Sequence, residues 1–252
     1  MSEYIITAAI LIIGDEILSG KTQDTNTSYI AKALAKKGID VLEVRIIQDD
    51  EAAIIFAVNE LRSRYTYVLT TGGIGATHDD ITASSIAKAF KTPLKENTNA
   101  SAIIKNRSKE QPTDHYLSMA FMPEGSNLIL NSLSEIPSFY IDNVYVLAGM
   151  PSVMKVMLDD VLPQLKSGQK VYTNSLTSNA LEREIAKDLA DIQSLFSNVS
   201  IGSYPFYDEH NKGTTLVLRS RNTDALKSAT KKTLDMLRAY NHEPIIDFAI
   251  QI

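Results

Sequence analysis

The chain has 252 residues, of which 44% are hydrophobic and 22% charged, as in an ordinary soluble globular protein. A net charge of −5 and an isoelectric point near 5.4 argue against a nucleic-acid binder, which would carry a basic surface. The absence of cysteine excludes disulfides, thiolate metal sites and a cysteine nucleophile. The longest apolar run, Ile5 to Ile13, is too short to span a bilayer and lacks a basic flank, so we expect a cytoplasmic protein with no membrane partner.

Predicted strands and helices alternate in the first part of the chain. The continuous apolar run from Ala8 to Ile13 predicts a central strand buried on both faces. A polar loop over residues 14–26 leads to a predicted helix over about 27–37. Alternating apolar residues over 42–46 then predict a second strand.

The alternation continues with a helix after Asp49-Asp50, a strand over residues 67–71 and a helix beginning near residue 82. A βαβαβα order with short loops predicts a parallel sheet with helices on both faces. Ligands of such sheets bind at the carboxyl ends of the strands.

The rest of the chain is predicted to finish this domain and to form a second one. Residues 93–131 read as mostly helical with turns, and short strands are expected at 128–130, 139–141 and 144–147, before a helix over 152–165. After Ser167-Gly168, a βαββαβ order predicts a small ferredoxin-like α+β subdomain. We therefore expect domains at residues 1–167 and 168–252.

The stretch that follows the third strand is the best candidate for a ligand site. Gly72, Gly73 and Gly75 bring backbone N–H groups close to a ligand, and the next helix points its N-terminus there, which favours phosphate. Asp80 and Thr82 follow a few residues later, at the start of that helix. A carboxylate at this position repels phosphate unless a cation or a proton lies between them, so the sequence suggests a site for metal and phosphate together.

Two other nucleotide-binding motifs are approached but not matched. Residues 14–22 resemble a P-loop, but they place five residues between the glycines where the motif has four. Residues 73–78 fit a dinucleotide fingerprint except at the last position, and they follow the third strand rather than the first. We therefore favour a different kind of phosphate site over either motif.

The stretch from Thr70 to Thr82 resembles the signature of the MoaB/MogA-like molybdopterin-binding domain, and most closely that of the N-terminal half of CinA-type proteins. Eukaryotic FAD synthases carry a related domain. Further segments match in the family's order and spacing: Ile13 to Gly20, Asp24-Thr25-Asn26, Met122 to Gly125, and Gly149 to Met154. Ala76 and Ala148 stand where the family usually has proline.

The resemblance implies a three-layer α/β/α fold with a mostly parallel sheet, a homo-oligomer (dimer or trimer), and a pocket for a phosphorylated pterin such as molybdopterin or for a nucleotide. CinA-type members are associated with metal-dependent hydrolysis of ADP-ribose-like pyrophosphates, and MogA-type members adenylylate molybdopterin. The acidic residues linked to that transfer correspond here to Asp49 and Asp80.

Our sequence-based hypothesis is a metal-dependent nucleotide pyrophosphatase with Asp80 and Asp49 as catalytic residues. Asp15, Glu16 and Asp80 are the candidate ligands for Mg²⁺, Mn²⁺ or Co²⁺. The candidate residues for binding the ligand and its phosphates are Asn26, Thr71, Gly72, Gly73, Gly75, Thr82, Gly149 and Ser152.

Other readings stay open at this point. Asp49, Asp80 and Ser152 each stand where they could instead cap a helix. A non-catalytic molybdopterin-binding module and a molybdopterin adenylyltransferase remain alternatives, because function depends on the site and not on the fold.

Overall fold

The computed structural model describes residues 5–108, 111–134, 136–207, 212–240 and 242–248. The chain forms two compact units, residues 1–168 and residues 169–252, and each is described by itself.

The strands of the first unit build one main sheet and one small ribbon. They are β1 (Thr7–Ile13), β2 (Asp40–Ile47), β3 (Tyr67–Thr71), β4 (Leu94–Glu96), β5 (Phe121–Pro123), β6 (Asn127–Ile129), β7 (Ser138–Ile141) and β8 (Val144–Leu147). The main sheet has the order β2-β1-β3-β8-β7-β6, and β4 pairs with β5 apart from it. Strands β2, β1, β3 and β8 are parallel, whereas β7 and β6 continue the sheet antiparallel. The carboxyl ends of the four parallel strands therefore meet at one edge of the sheet.

The helices of the first unit are α1 (Asp15–Leu18), α2 (Asn26–Lys36), α3 (Glu51–Arg64), α4 (Thr82–Ala89), α5 (Thr98–Arg107), α6 (Asp114–Leu117) and α7 (Pro151–Val161). Helix α3 shows how the sequence forms them. Asp50 caps its N-terminus by accepting a hydrogen bond from the Ala53 N–H, and its buried residues recur every three or four positions. In the described part of the chain, no helix is both long and apolar enough to cross a membrane.

Strand β1 is buried on both faces, as the sequence predicts. Ile10 and Ile12 belong to one core with residues of α2 and α7. Leu11 and Ile13 belong to a second core with residues of α3, α4 and α5. Each buried Ile or Leu stabilises the fold by about 1.5–3 kcal/mol relative to an exposed one, so both helix layers are held by this strand. The predicted three-layer α/β/α fold with a mostly parallel sheet is confirmed.

Two segments differ from the sequence prediction. The region 93–131 contains α5 and α6, but also the ribbon of β4 and β5 where mostly helix was expected. Each ribbon strand has three residues, too few for an alternating pattern to show. The predicted loop 14–26 contains the one-turn helix α1, which begins directly after Gly14.

The second unit has the predicted strand and helix order. Its elements are β9 (Tyr172–Ser178), α8 (Glu182–Leu195), β10 (Ser200–Tyr207), β11 (Lys212–Ser220), α9 (Thr223–Ala239) and β12 (Ile245–Phe248). They form an antiparallel sheet in the order β10-β11-β9-β12, with a core that the two helices share. Gly213, predicted in a loop, lies in β11, while Asn211 and the end of the predicted strand 245–252 lie outside the described residues.

Candidate functional site

The loop after β3 adopts a conformation that requires glycine. Gly72 has φ +105° and Gly73 has φ +63°, both in the left-handed region. A Cβ on Gly72 would lie 2.0 Å from the carbonyl oxygen of Ile13, and a Cβ on Gly73 would lie 2.3 Å from Oγ1 of Thr82. The glycine loop, residues 72–75, therefore passes directly between the end of β1 and the start of α4.

Thr82 holds this loop in place. Its hydroxyl donates to the Gly72 carbonyl at 3.0 Å, and its backbone N–H donates to the Gly73 carbonyl at 3.1 Å. The side chain is fully buried. Thr82, which the sequence suggests as a ligand contact, is thus placed as a support of the loop.

Asp80 does not cap α4, since the residue at the cap position is Ile81. Its Oδ2 instead accepts hydrogen bonds from the backbone N–H and the hydroxyl of Thr77, at 2.8 and 2.6 Å. A Cβ on Gly75 would lie 2.5 Å from the same oxygen. The carboxylate of Asp80 is therefore fixed against the glycine loop.

Asp49 is also free of a capping role, because Asp50 caps α3. Its Oδ2 accepts a hydrogen bond from the backbone N–H of Asp15 at 3.0 Å. A Cβ on Gly73 would lie 3.4 Å from the other oxygen, Oδ1. Asp49 thus bridges the loop after β1 and the glycine loop, although it comes from the end of β2.

These loops enclose an acidic cavity of about 420 Å³ at the carboxyl edge of the sheet. The carboxylate residues that line it are Glu16, Asp49, Asp79 and Asp80, together with residues 72–75 of the glycine loop. Ile13, Ile136, Val153 and Met157 contribute apolar walls. Among the described residues, no lysine, arginine or histidine lines this cavity.

The concentration of negative charge affects the titration of Asp49. Burial raises the pKa of its carboxyl, and the carboxylates of Asp15, Glu16 and Asp79 raise it further, against the opposing effect of the Asp15 N–H. The pKa of Asp79 is lowered, chiefly by a hydrogen bond from Thr77 and also by His78. Asp79 lines the cavity although only Asp80 was selected from the sequence, where the pair Asp79-Asp80 was the available signal.

The carboxylates do not form a complete metal site by themselves. Within the described ranges, no group of three or more His, Asp or Glu side chains could hold one ion. Of the three residues expected as ligands, Glu16 and Asp80 line the cavity, whereas Asp15 is exposed and is absent from its lining. Asp15 instead contributes its backbone N–H to Asp49.

An apolar cleft of about 320 Å³ lies on the other side of the glycine loop. It shares Gly73, Ile74, Gly75 and Asp80 with the acidic cavity. Its walls are formed by Leu94, Met119, Phe121, Met122 and Phe139, with hydroxyls from Ser84, Ser118 and Ser138. Sequence reasoning missed this cleft, because the β4–β5 ribbon that forms one wall was read as helix.

Three of the remaining predicted site residues, Asn26, Thr71 and Gly149, lie near Gly72, at the start of the glycine loop. Asn26 is buried, and its Nδ2 donates to the carbonyl of Gly149 at 2.8 Å. Gly149 lines the acidic cavity, and with Asn26 and the buried Thr71 it also lines a pocket of about 60 Å³. Ser152 is exposed and lies outside the lining of all three cavities. Ser152 does not cap α7 either, since Met150 holds that position.

The first unit matches a family model. Residues 9–167 match the probable molybdopterin binding domain, which is more than half of the chain. Residues 170–243 match the middle domain of FAD synthase.

Two curated proteins and one crystal structure are also similar to this chain. A probable FAD synthase of Caenorhabditis elegans is 29% identical over 261 residues, covering 93% of this chain and 50% of the worm protein. A CinA-like protein of Desulfosudis oleivorans is 35% identical over 183 residues, covering 68% of this chain and 44% of that protein. The chain thus spans about half the length of these relatives.

The crystal structure is that of CinA, a protein with unknown function, from Thermoplasma acidophilum. It superposes with a TM-score of 0.59 at 28% identity, covering 63% of this chain and 96% of that chain. The chain belongs to the molybdopterin-binding domain family and, within it, to the CinA type.

Proposed function

We propose that this protein is a metal-dependent nucleotide pyrophosphatase that hydrolyses ADP-ribose or a similar pyrophosphate-linked nucleotide. The observation that carries the proposal is that carboxylates from three separate loops line one cavity with a glycine loop, where no cationic side chain of the described residues lies. Each loop follows a different parallel strand. If these carboxylates only capped helices or lay in solvated loops, they would have no reason to line the same cavity.

The glycine loop supplies the site for the phosphates. Its left-handed residues allow the backbone to approach a ligand closely, and its N–H groups suit anionic oxygens. The neighbouring carboxylates repel a phosphate that arrives alone, so the charge on the ligand has to be balanced within the cavity.

A hard divalent cation fits this donor set. Mg²⁺ is commonly bound by one or two carboxylates and completes its shell with water and substrate phosphates. Such an ion does not need the three-residue group that is missing among the described residues. Glu16 and Asp80 would hold it, and its chemistry would be to neutralise the phosphate oxygens.

Asp49 is the group we assign to the attacking water. Its Oδ2 is held by the Asp15 N–H, which leaves Oδ1 beside Gly73, where the phosphates of the ligand would bind. The oxygen of a water molecule forms a bond to one phosphorus while the bond from that phosphorus to the bridging oxygen breaks. Asp49 accepts a proton from the water, and the bridging oxygen leaves on the other phosphate, so that ADP-ribose gives AMP and ribose 5-phosphate.

The apolar cleft suits the base of the nucleotide. It adjoins the acidic cavity across the glycine loop, so a ligand whose phosphates lie on the loop can place a ring there. The side chains of Phe121 and Leu94 are only partly covered, at 40% and 39% exposure, and offer apolar surface to a flat ring.

A second candidate function is binding or adenylylation of molybdopterin. It is favoured by the family match over residues 9–167, whose description names this pterin. The similarity to a probable FAD synthase also favours transfer of a nucleotidyl group as a candidate activity. A phosphorylated pterin would use the same glycine loop.

One assay separates these functions. The purified protein is incubated with ADP-ribose, FAD or NAD and with Mg²⁺, Mn²⁺ or Co²⁺, and release of AMP is measured by chromatography. We expect metal-dependent AMP release that Asp80→Asn abolishes. No turnover with any of these metals, or full activity of Asp80→Asn, would refute the hydrolase. Molybdopterin binding without turnover would support a binding module, and ATP-dependent formation of an adenylylated pterin would support a transferase.

A further inference from the structure

Strand β2 forms an end of the main sheet and carries a row of uncovered apolar side chains. Leu42, Val44 and Ile46 are 62%, 45% and 39% exposed. The register places Val44 beside Ile10 and Ile46 beside Ile12, both of which are buried on β1. Val41, at the start of β2, packs against the core that contains Ile10 and Ile12, but the helix layer leaves this row of three side chains uncovered, and we call it the β2 stripe.

The backbone of β2 is also available for pairing. In the part of the chain that the structure describes, no strand lies beyond β2 in its sheet. The carbonyl of Ile47 faces inward, where it accepts a hydrogen bond from the Gly14 N–H. Because successive residues of a strand direct their backbone groups to opposite sides, Val44 and Ile46 direct theirs to the free edge. An edge with free backbone groups and apolar side chains is a template for another strand.

The sequence of β2 is complementary to itself in the antiparallel direction. When two copies are aligned about Val44, Leu42 lies opposite Ile46 of the partner subunit on the face of the stripe. On the other face, Glu43 lies opposite Arg45 of the partner subunit. Cross-strand pairs of opposite charge and of apolar residues both stabilise a sheet, whereas a parallel alignment in register would set like charges side by side.

The charged side chains are already ordered for this arrangement. Arg45 bonds to Glu43 and to Glu60 of its own chain, and the Tyr65 hydroxyl donates to Glu43. Glu43 and Arg45 are each 23% exposed, so they are held in a fixed row beside the edge. Little side-chain freedom is then lost on pairing.

We propose that two copies of this chain associate through β2, antiparallel and centred on Val44. The two sheets join into one, the two β2 stripes lie side by side on one face of it, and the two-fold axis passes beside Val44. A two-fold interface of this kind uses the same patch on both subunits and closes on itself. We assign a second copy to this edge because β2 of one copy matches β2 of the other in both its apolar and its charged residues.

The first test is the oligomeric state of the full-length protein, measured by light scattering after size-exclusion chromatography. We expect the wild type to be a dimer and Val44→Asp to be a monomer. Leu130→Asp is the matched control, because Leu130 is 46% exposed and directly follows β6, which forms the opposite end of the main sheet, and its variant should remain a dimer. A monomeric wild type, or a dimeric Val44→Asp, would overturn the proposal and leave the edge to another partner.

The second test fixes the register and does not depend on how Val44→Asp folds. The natural chain has no cysteine, so Val44→Cys introduces a single thiol. Paired across the axis, the two Cα atoms would be roughly 5.5 Å apart, within the range of a disulfide. We expect Val44→Cys to form a covalent dimer under mild oxidation. In Ile46→Cys the two positions are offset by about four residues, roughly 13 Å, so cross-linking at an equal rate would refute this register.

Discussion

The backbone N–H of Asp15 donates to Oδ2 of Asp49 at 3.0 Å, and this contact joins the loop after β1 to the end of β2. It fixes one carboxylate oxygen and leaves the other beside Gly73. Asp15 makes this contact through its backbone, and its side chain is absent from the lining of the cavity, whereas its neighbour Glu16 is part of that lining. The positions of these two aspartates therefore define their different roles.

Asp49→Asn should remove the proposed base while keeping the geometry, because the amide oxygen can still accept from the Asp15 N–H. We expect turnover of ADP-ribose to fall about 100-fold, the lower range for loss of a general base. The measurement is AMP release under saturating substrate, alongside the binding constant. Asp159→Asn is the matched control, since it removes an exposed carboxylate of α7 that lines neither cavity. Equal losses in both variants would contradict the role of Asp49.

Gly73→Ala should both destabilise the first unit and weaken ligand binding. The new Cβ would meet Oγ1 of Thr82 at 2.3 Å, and the backbone φ of +63° disfavours alanine. We compare it with Gly125→Ala, because Gly125 also has a positive φ, +84°, but nothing lies within 4 Å of its Cβ position. Gly73→Ala should cost about 1–3 kcal/mol more in the free energy of unfolding, measured with denaturant, because of that overlap. Equal costs would show that the loop can move to accept a Cβ.

Thr82→Val should act on the site through the loop. The substitution keeps the shape of the side chain and removes the hydroxyl that donates to the Gly72 carbonyl at 3.0 Å. We expect a loss of about 1–3 kcal/mol in stability, because a buried carbonyl is left without this donor. Calorimetric titration with AMP should also show weaker binding. Thr82→Ser retains the hydroxyl and should restore most of the affinity, and a serine variant as weak as the valine variant would contradict this account.

Phe121→Ala should reveal whether the apolar cleft holds the base. Loss of a ring contact is worth about 1 kcal/mol, or roughly fivefold in the dissociation constant. We expect that loss for ADP-ribose and AMP, and no change for ribose 5-phosphate, which has no base. Leu195→Ala serves as the control, because Leu195 is an exposed apolar residue of the second unit. Weaker binding of ribose 5-phosphate to Phe121→Ala would show that Phe121 contacts the sugar or the phosphate, and would contradict its role at the base.

Local patterns in the sequence were sufficient to predict most of the strands and helices and the glycine loop. The apolar run of β1 reflects burial on both faces, and the spacing of apolar residues in α3 reflects one buried face. Gly72 and Gly73 are glycines because their φ values are positive and neighbouring atoms leave no room for a Cβ. The spacing of apolar residues and the glycines themselves can be read from the sequence in order, whereas the atoms that exclude a Cβ belong to Ile13 and Thr82 and become visible only in the structure.

Only the tertiary structure decided which polar residues meet. The sequence offers both Asp49 and Asp50 after β2, but the first reaches the cavity while the second caps α3. Ser152 and Asp15 lie in family motifs and yet lie outside the cavity lining, whereas Asp79 is part of it.

Two surfaces likewise depend on how the strands pair. The apolar cleft depends on the pairing of β4 with β5, and strands of three residues are too short to be predicted from the sequence. The exposed β2 stripe depends on strand order, because the same alternating pattern would be covered in the middle of the sheet. Residues that are distant in the sequence are brought together by the packing of the whole unit, so a local sequence pattern cannot predict which of them meet.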